Sequence, residues 1–314
     1  MNLMQAELLQ ISKAFKKACE EHQLRYFMIG GTLLGAVRHQ GFIPWDDDMD
    51  FVMPRADYEK LIGLFEQGDL GLESQYNLCY IKPNDTYYFP FIKLEDMNTT
   101  LIDKYESPTA KVIKFPFCKC DDKEPRGNIV YQTMGVNIDI FPLDYMKGNY
   151  KDHLTHYGIF RLMMQFPHCD IARLSRGLLK KILLKGIKAL PREYVLKKVG
   201  HTMRFGPQKD SGKYLSYWYA IWGYRVHFDK KDFEESVSLA FEDTSFLAPK
   251  NFDRILKLTF GDYMSLPPEE ERFTHANDDT IIDLNSPYKD AKYKGFLHPR
   301  NDKRNTQTDS LYHY

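Results

Sequence analysis

Apolar positions along the first part of the chain switch between two periods. Leu8, Ile11, Phe15 and Ala18 recur at helical spacing and predict an amphipathic helix over residues 3–22. The apolar run 26–29 predicts a strand that ends at Gly30-Gly31, and residues 32–39 predict a helix opening over that turn. A loop through Gly41 and Pro44 leads to a second short apolar run, 48–53, in which Asp48 and Asp50 flank one residue. Pro54 then starts a helix through Tyr58, Leu61, Ile62 and Phe65, because proline is tolerated in a first turn. Strand-like runs follow at 76–81, 89–94 and 99–102. Residues 103–126, with Pro108, Pro116 and Pro125, are poorly patterned and read as an insertion or long loop. Gly135-Val-Asn-Ile-Asp-Ile-Phe141 is a strong strand closed by Pro142.

After residue 150 the pattern turns mainly helical, with helices predicted near 151–165, 172–190, 192–204, 229–241 and 249–260. The expected fold is therefore α/β (α+β): a mixed sheet with flanking helices, followed by a mainly helical C-terminal half. The expected division is a catalytic domain over 1–150, a helical, aromatic-rich donor- or acceptor-binding half over 151–276, and a polar tail over 277–314 that reads as partly disordered. Residues 214–228 hold Tyr214, Tyr217, Trp218, Tyr219, Trp222, Tyr224 and Phe228. Such density can stack sugars or cage a quaternary ammonium, or simply form an aromatic core.

Totals narrow the classes. With 314 residues, 43% of them hydrophobic, the chain can bury a sizeable core. Its 43 basic and 43 acidic residues balance, so no surplus of positive charge points to nucleic acid. The five cysteines are an odd number and residues 1–21 hold no apolar leader, which predicts a cytoplasmic protein with free thiols. Cys118 and Cys120 lack a second pair at zinc-site spacing. No apolar run approaches the ~20 residues of a membrane span. Residues 172–190 carry Arg173, Arg176, Lys180, Lys181, Lys185 and Lys188 with no acid. That segment is either a helix lying peripherally on the inner face of an anionic membrane or an ordinary surface helix with a basic face.

The candidate chemistry sits in the first half. Alternate residues of a strand share one face, about 6.6 Å apart, so Asp48 and Asp50 could share a divalent ion. Mg²⁺ or Mn²⁺ takes hard oxygen ligands, often one or two carboxylates plus substrate phosphates. A small-residue turn at Gly30, Gly31 and Thr32 lets backbone N–H groups approach a phosphate. Asp139 lies between Ile138 and Ile140, a costly place for an unpartnered charge, and shares a face with Asn137 and Phe141. It could hold metal or accept the proton of an acceptor hydroxyl. Arg38 and Lys93 are the candidate phosphate-binding cations. His39 reads as a surface or hydrogen-bonded histidine. Arg272 and His275 either close over the site or cap a helix. Asp46 and Asp47 extend the acidic run, and four carboxylates in five residues repel one another unless a cation neutralises them.

The connected text is more specific than its parts. Gly30-Gly-Thr-Leu-Leu-Gly-Ala-Val-Arg-His-Gln-Gly-Phe-Ile-Pro-Trp-Asp-Asp-Asp-Met-Asp50 resembles the signature of the LicD family, within the nucleotidyltransferase fold. Met53-Pro-Arg-Ala-Asp-Tyr58, Lys93-Leu-Glu-Asp-Met-Asn-Thr99, Val136-Asn-Ile-Asp-Ile-Phe-Pro-Leu-Asp144 and Tyr263-Met-Ser-Leu-Pro-Pro268 fit as well. The resemblance is specific over residues 20–145 and thins towards 275. It implies a phosphotransferase of glycan decoration that takes phosphocholine from CDP-choline, or a similar CDP-alcohol, to a glycan or lipid-linked saccharide of lipopolysaccharide, teichoic acid or capsule. More distant relatives transfer polyol phosphates. It places Gly30 and Gly31 in the phosphate turn and Asp48, Asp50 and Asp139 in a metal triad. His275-Ala276 departs from the pattern, where a second histidine is expected. Trp218 is the candidate within the aromatic band for choline or sugar contact. The same carboxylates would equally serve a nucleotidyltransferase that attaches a nucleoside monophosphate from a triphosphate.

Overall fold

The computed structural model describes residues 1–80, 87, 89, 91–106, 129–146, 214–216, 228–274, 276 and 280–296. Helix α1, Leu3–Glu21, opens on a capping box in which the Asn2 side chain accepts from Gln5 N–H and the Gln5 side chain accepts from Asn2 N–H. Strand β1, Phe27–Met28, leads into α2, Gly30–His39, then β2, Asp50–Pro54, and α3, Arg55–Gln67. Next come β3, Tyr76–Cys79, β4, Ile92–Glu106, and β5, Ile129–Met146. Further along are β6, Tyr214–Ser216, β7, Phe228–Asp229, β8, Ser236–Phe241, β9, Thr244–Pro249, α4, Phe252–Phe260, and β10, Ile281–Asp283.

The main sheet is mixed, as expected, and runs β1-β2-β5-β4-β10, with β3 also on β4 and β6 on β5. Strands β2 and β5 are parallel, whereas β4 is antiparallel to β5. One face is apolar: Phe51, Ile138, Ile140 and Leu94 are fully buried, and the Phe15 ring of α1 lies 5.2 Å from that of Phe51. The opposite face is polar. Register places Asp50 beside Asp139, Asp139 beside Lys93, and Lys93 beside Cys79, one residue from each of four strands. The next row holds Asn137, Glu95 and Asn77.

Several expectations are corrected: β2 begins at Asp50, so Asp48 lies in the preceding loop and not on a strand face with Asp50, and β5 runs through Pro142 to Met146 instead of closing there. Residues 229–241 are not a helix: a short 3₁₀ turn, Lys230–Phe233, precedes the β8–β9 hairpin. Val237, Leu239 and Phe241 alternate with period two, the strand signal, but the connecting Glu242-Asp243 lacks the glycine or asparagine that usually marks a tight turn. Glu242 itself takes φ +53°. Within the segment read as a partly disordered tail, the part over 280–296 is ordered: β10 pairs with β4, and the Tyr293 hydroxyl donates to Asp283 at 2.7 Å. Phe228, Phe233, Phe246, Ile255 and Tyr263 share the core of α1 and β2. The expected helices between 151 and 204, the basic segment 172–190 among them, lie outside the described residues. Among the described residues no helix is long and apolar enough to cross a membrane, and Cys19 and Cys79 are free thiols.

Candidate active site

The acidic loop, residues 43–50, is held from three sides. Gln5 of α1 donates its amide to the carbonyls of Asp46 at 2.9 Å and Ile43 at 3.3 Å, and the Ser12 hydroxyl meets the Met49 sulfur at 3.1 Å. Both are polar residues on the buried stripe of α1, where leucine would otherwise pack. Thr32 of α2, expected at a phosphate turn, accepts the Asp50 N–H at 2.8 Å and so holds the loop. At the hairpin tip, a Glu242 carboxylate oxygen accepts the Phe42 N–H at 3.0 Å. Sequence reading missed Gln5, Ser12 and Glu242. A polar residue at a core-facing helical position was the available signal for the first two.

Gly30 and Gly31 form the first turn of α2 and bring the loop carboxylates against its N-terminus. Gly30 has φ +57°, and a Cβ there would stand 3.1 Å from an Asp50 carboxylate oxygen. A Cβ on Gly31 would stand 2.5 Å from an Asp46 oxygen, far inside contact distance. Positive partial charge at a helix N-terminus favours carboxylates, and equally phosphate.

The structure brings Asp48, Asp50 and Asp139 into one electrostatic neighbourhood. Burial, then the charges of Asp48, Asp139 and Asp46, hold the Asp50 carboxyl well above the usual range, with Lys93 pulling the other way. Asp139 N–H donates to the Met49 carbonyl at 2.9 Å, which ties β5 to the loop itself. The Lys93 ammonium donates to Asp139 and, at 3.0 Å, to the Asn137 side-chain oxygen. Asn137 in turn donates to the Gly135 carbonyl at 2.9 Å. One row of the sheet thus carries two carboxylates followed by an ammonium.

Arg38 lies apart from that row. Its guanidinium donates to the Tyr263 carbonyl at 2.9 Å and the Ser265 carbonyl at 3.3 Å. Arg272 stacks over Trp45, 5.2 Å from the ring centre, and donates to the Pro267 carbonyl at 2.9 Å. Burial and then Arg272 lower the Arg38 pKa, and burial and then Arg38 lower that of His39. Three cationic or cation-capable groups therefore border the acidic loop. Asp47 accepts the Ala276 N–H at 2.8 Å, anchoring segment 263–276 to the same loop. His275 and Trp218 lie outside the described residues.

Hard carboxylate oxygens beside crowded like charges suit Mg²⁺ or Mn²⁺, because a divalent cation relieves the repulsion around Asp50. Among the described residues, no three His, Cys, Asp or Glu side chains already form a metal cage, and Lys93 engages Asp139. Chemically, the row can bind an anion through Lys93 and the α2 N-terminus. It can also take up a proton on a carboxylate.

Residues 23–123 match the family model described as "LicD/FKTN/FKRP, nucleotidyltransferase domain", a stretch that ends before Asp139. Over 285 residues, 85% of this chain and 92% of the relative, the sequence is 24% identical to the lipopolysaccharide cholinephosphotransferase LicD of Haemophilus influenzae. Over 77 residues it is 38% identical to an uncharacterised protein of Rickettsia prowazekii, covering 23% of this chain and 29% of that one. A Rickettsia typhi protein is 36% identical over 77 residues, 24% of each chain. The likeness read from residues 30–50 is thus shown to be a likeness to the LicD family, carried by the family model over residues 23–123 and by the Haemophilus relative over most of the chain.

Proposed function

We propose that this chain is a metal-dependent transferase that moves phosphocholine, or a related phospho-alcohol, from a CDP-linked donor to a hydroxyl of a cell-surface glycan and releases CMP. The observation that carries the reading is the row Asp50–Asp139–Lys93, set by strand register beside the N-terminus of α2. The named activity of the Haemophilus relative supports the choice of head group and of a lipopolysaccharide-type acceptor.

Phosphoryl transfer needs alignment and charge stabilisation more than covalent help from the protein. The acceptor oxygen forms a bond to the phosphorus bearing the alcohol, and the bond from that phosphorus to the CMP oxygen breaks. Asp48, Asp50 and Asp139 would hold Mg²⁺ or Mn²⁺, which would supply positive charge to the diphosphate. Lys93 and the N–H groups at Gly30 and Gly31 bind phosphate oxygens. Asp139 takes the proton of the acceptor hydroxyl on a carboxylate oxygen. Arg38 and Arg272 keep the border of the acidic loop positive and so favour an anionic donor.

A donor screen tests the reading. The protein is incubated with Mn²⁺ or Mg²⁺, a lipopolysaccharide-derived saccharide, and a panel of CDP-alcohols and nucleoside triphosphates, and the products are read by mass spectrometry. CMP release with a phospho-alcohol added to the saccharide is expected. Pyrophosphate release with a nucleoside monophosphate added would instead make the protein a nucleotidyltransferase.

A further inference from the structure

Next to Lys93 and Asp139 the polar face of the sheet gives way to an aromatic cluster. Tyr87 and Phe89 have ring centres 5.6 Å apart, Phe89 and Phe91 5.3 Å, and Phe91 and Phe141 4.4 Å. Phe91 and Phe141 are buried, 7% and 5% exposed, while Tyr87 and Phe89 are half-buried and so border the solvent-facing side. The Tyr87 hydroxyl donates to the Phe91 carbonyl at 2.8 Å, folding the segment onto the head of β4. Alternation puts Phe91 and Lys93 on one face of β4, and Phe141 and Asp139 on the same face of β5.

These rings already hold a cation. The Lys93 ammonium lies 5.0 Å from the centre of Phe89 and 5.4 Å from that of Phe91. Ring faces carry negative electrostatic potential and attract ammonium groups, most strongly where water is excluded. The Asp139 carboxylate adds negative charge at the same place.

We propose that Tyr87, Phe89 and Phe91 form the subsite for a quaternary ammonium head group, which selects choline over uncharged alcohols of the same shape. The inference rests on the proposed transfer from a CDP-linked donor and adds the residues that choose its head group. In phosphocholine a two-carbon tether joins phosphate and nitrogen. Lys93 on the phosphate and ring faces on the trimethylammonium therefore match the charge order of the substrate. A primary ammonium would lose less on removal of the rings, because it can hydrogen-bond to carboxylates, whereas a quaternary one has no N–H and relies on ring faces and shape.

The test compares binding of CDP-choline with that of CDP-3,3-dimethylbutanol, its neutral isostere, by calorimetry in the absence of acceptor. The full chain should prefer the cation by about 3- to 30-fold. Phe89→Leu and Phe91→Leu should each bring that ratio close to one, and Phe89→Tyr, which keeps a ring, should restore it. Thermal unfolding identifies any variant that fails to fold, and Phe89, being half-buried, is the position where leucine is best tolerated. If the leucine variants fold and still discriminate as wild type does, the subsite lies elsewhere and the inference is wrong. If wild type binds both donors equally, it is also wrong, while donor binding itself survives. If wild type binds neither, the proposed function falls and takes this subsite with it.

Discussion

Asp50→Asn should sharply lower the proposed transfer and at the same time make the metal-free protein more resistant to heat. The first half follows from position. Asp50 is the register partner of Asp139, and its carboxylate abuts Gly30 at the head of α2. Loss of one charge-organising group from such a site costs about two to three orders of magnitude in turnover. The second half follows from the sign of its shift. Burial and the neighbouring aspartates raise the folded pKa of Asp50 above its unfolded value. The folded state therefore binds that proton more tightly, and ionisation of Asp50 opposes folding. Stability falls as pH rises from the ordinary carboxylate range, about 4, through the raised folded value, and remains lowered above it. Asparagine keeps the shape and the backbone bond to Thr32 but carries no charge, so at neutral pH its melting temperature should exceed that of metal-free wild type. CMP release and thermal unfolding check the two halves. Wild-type turnover in Asp50→Asn would remove Asp50 from the site, and an unchanged melting temperature would show that the carboxylates do not crowd one another.

Arg55→Met should be strongly destabilising although it lies away from the site. Arg55 begins α3 directly after β2, and its guanidinium forks onto Asp144 of β5 through bonds of 2.7 and 2.6 Å. The Asp144 side chain is 5% exposed and that of Arg55 16%. Arg55 also stacks over Tyr58, 5.0 Å from the ring centre, and reaches Glu59 at 3.2 Å. Removing one partner of a buried pair leaves the other charge desolvated, at a cost of about 3–5 kcal/mol. The urea midpoint should fall accordingly. The double variant Arg55→Met/Asp144→Leu should recover much of the loss, because no charge is then stranded. The fork ties together the exits of the two strands that carry Asp50 and Asp139, so a midpoint equal to wild type would mean that this end of the sheet is held by packing alone.

Much of the fold was legible because its first half obeys local rules. The helical stripe of α1, a helix opening at the paired glycines and the alternation through residues 136–141 all agree with the final structure. Asp50, Asp139 and Lys93 were legible as charges set among apolar neighbours. That they share a row required the parallel pairing of β2 with β5, a long-range fact without local signal. Residues 229–241 were misread because strand alternation was weighed below an apparent helical run and the Glu242-Asp243 turn lacks the usual residues. The supports of the acidic loop were hidden for a related reason. Gln5 and Glu242 act on backbone groups, and Ser12 on the Met49 sulfur, 30 or more residues away, and composition does not encode which groups they meet. The Phe91–Phe141 contact that joins the rings to β5 was equally hidden, since it forms only when β4 and β5 pair.

The central claim is that carboxylates from the loop, β2 and β5 bind one kind of divalent ion together. Titration of Mn²⁺ into the metal-free protein, followed by the loss of its free-ion magnetic resonance signal, tests this directly. Saturable binding to wild type that is lost in both Asp50→Asn and Asp139→Asn is predicted. No binding to wild type, or binding to Asp139→Asn as tight as to wild type, would contradict it.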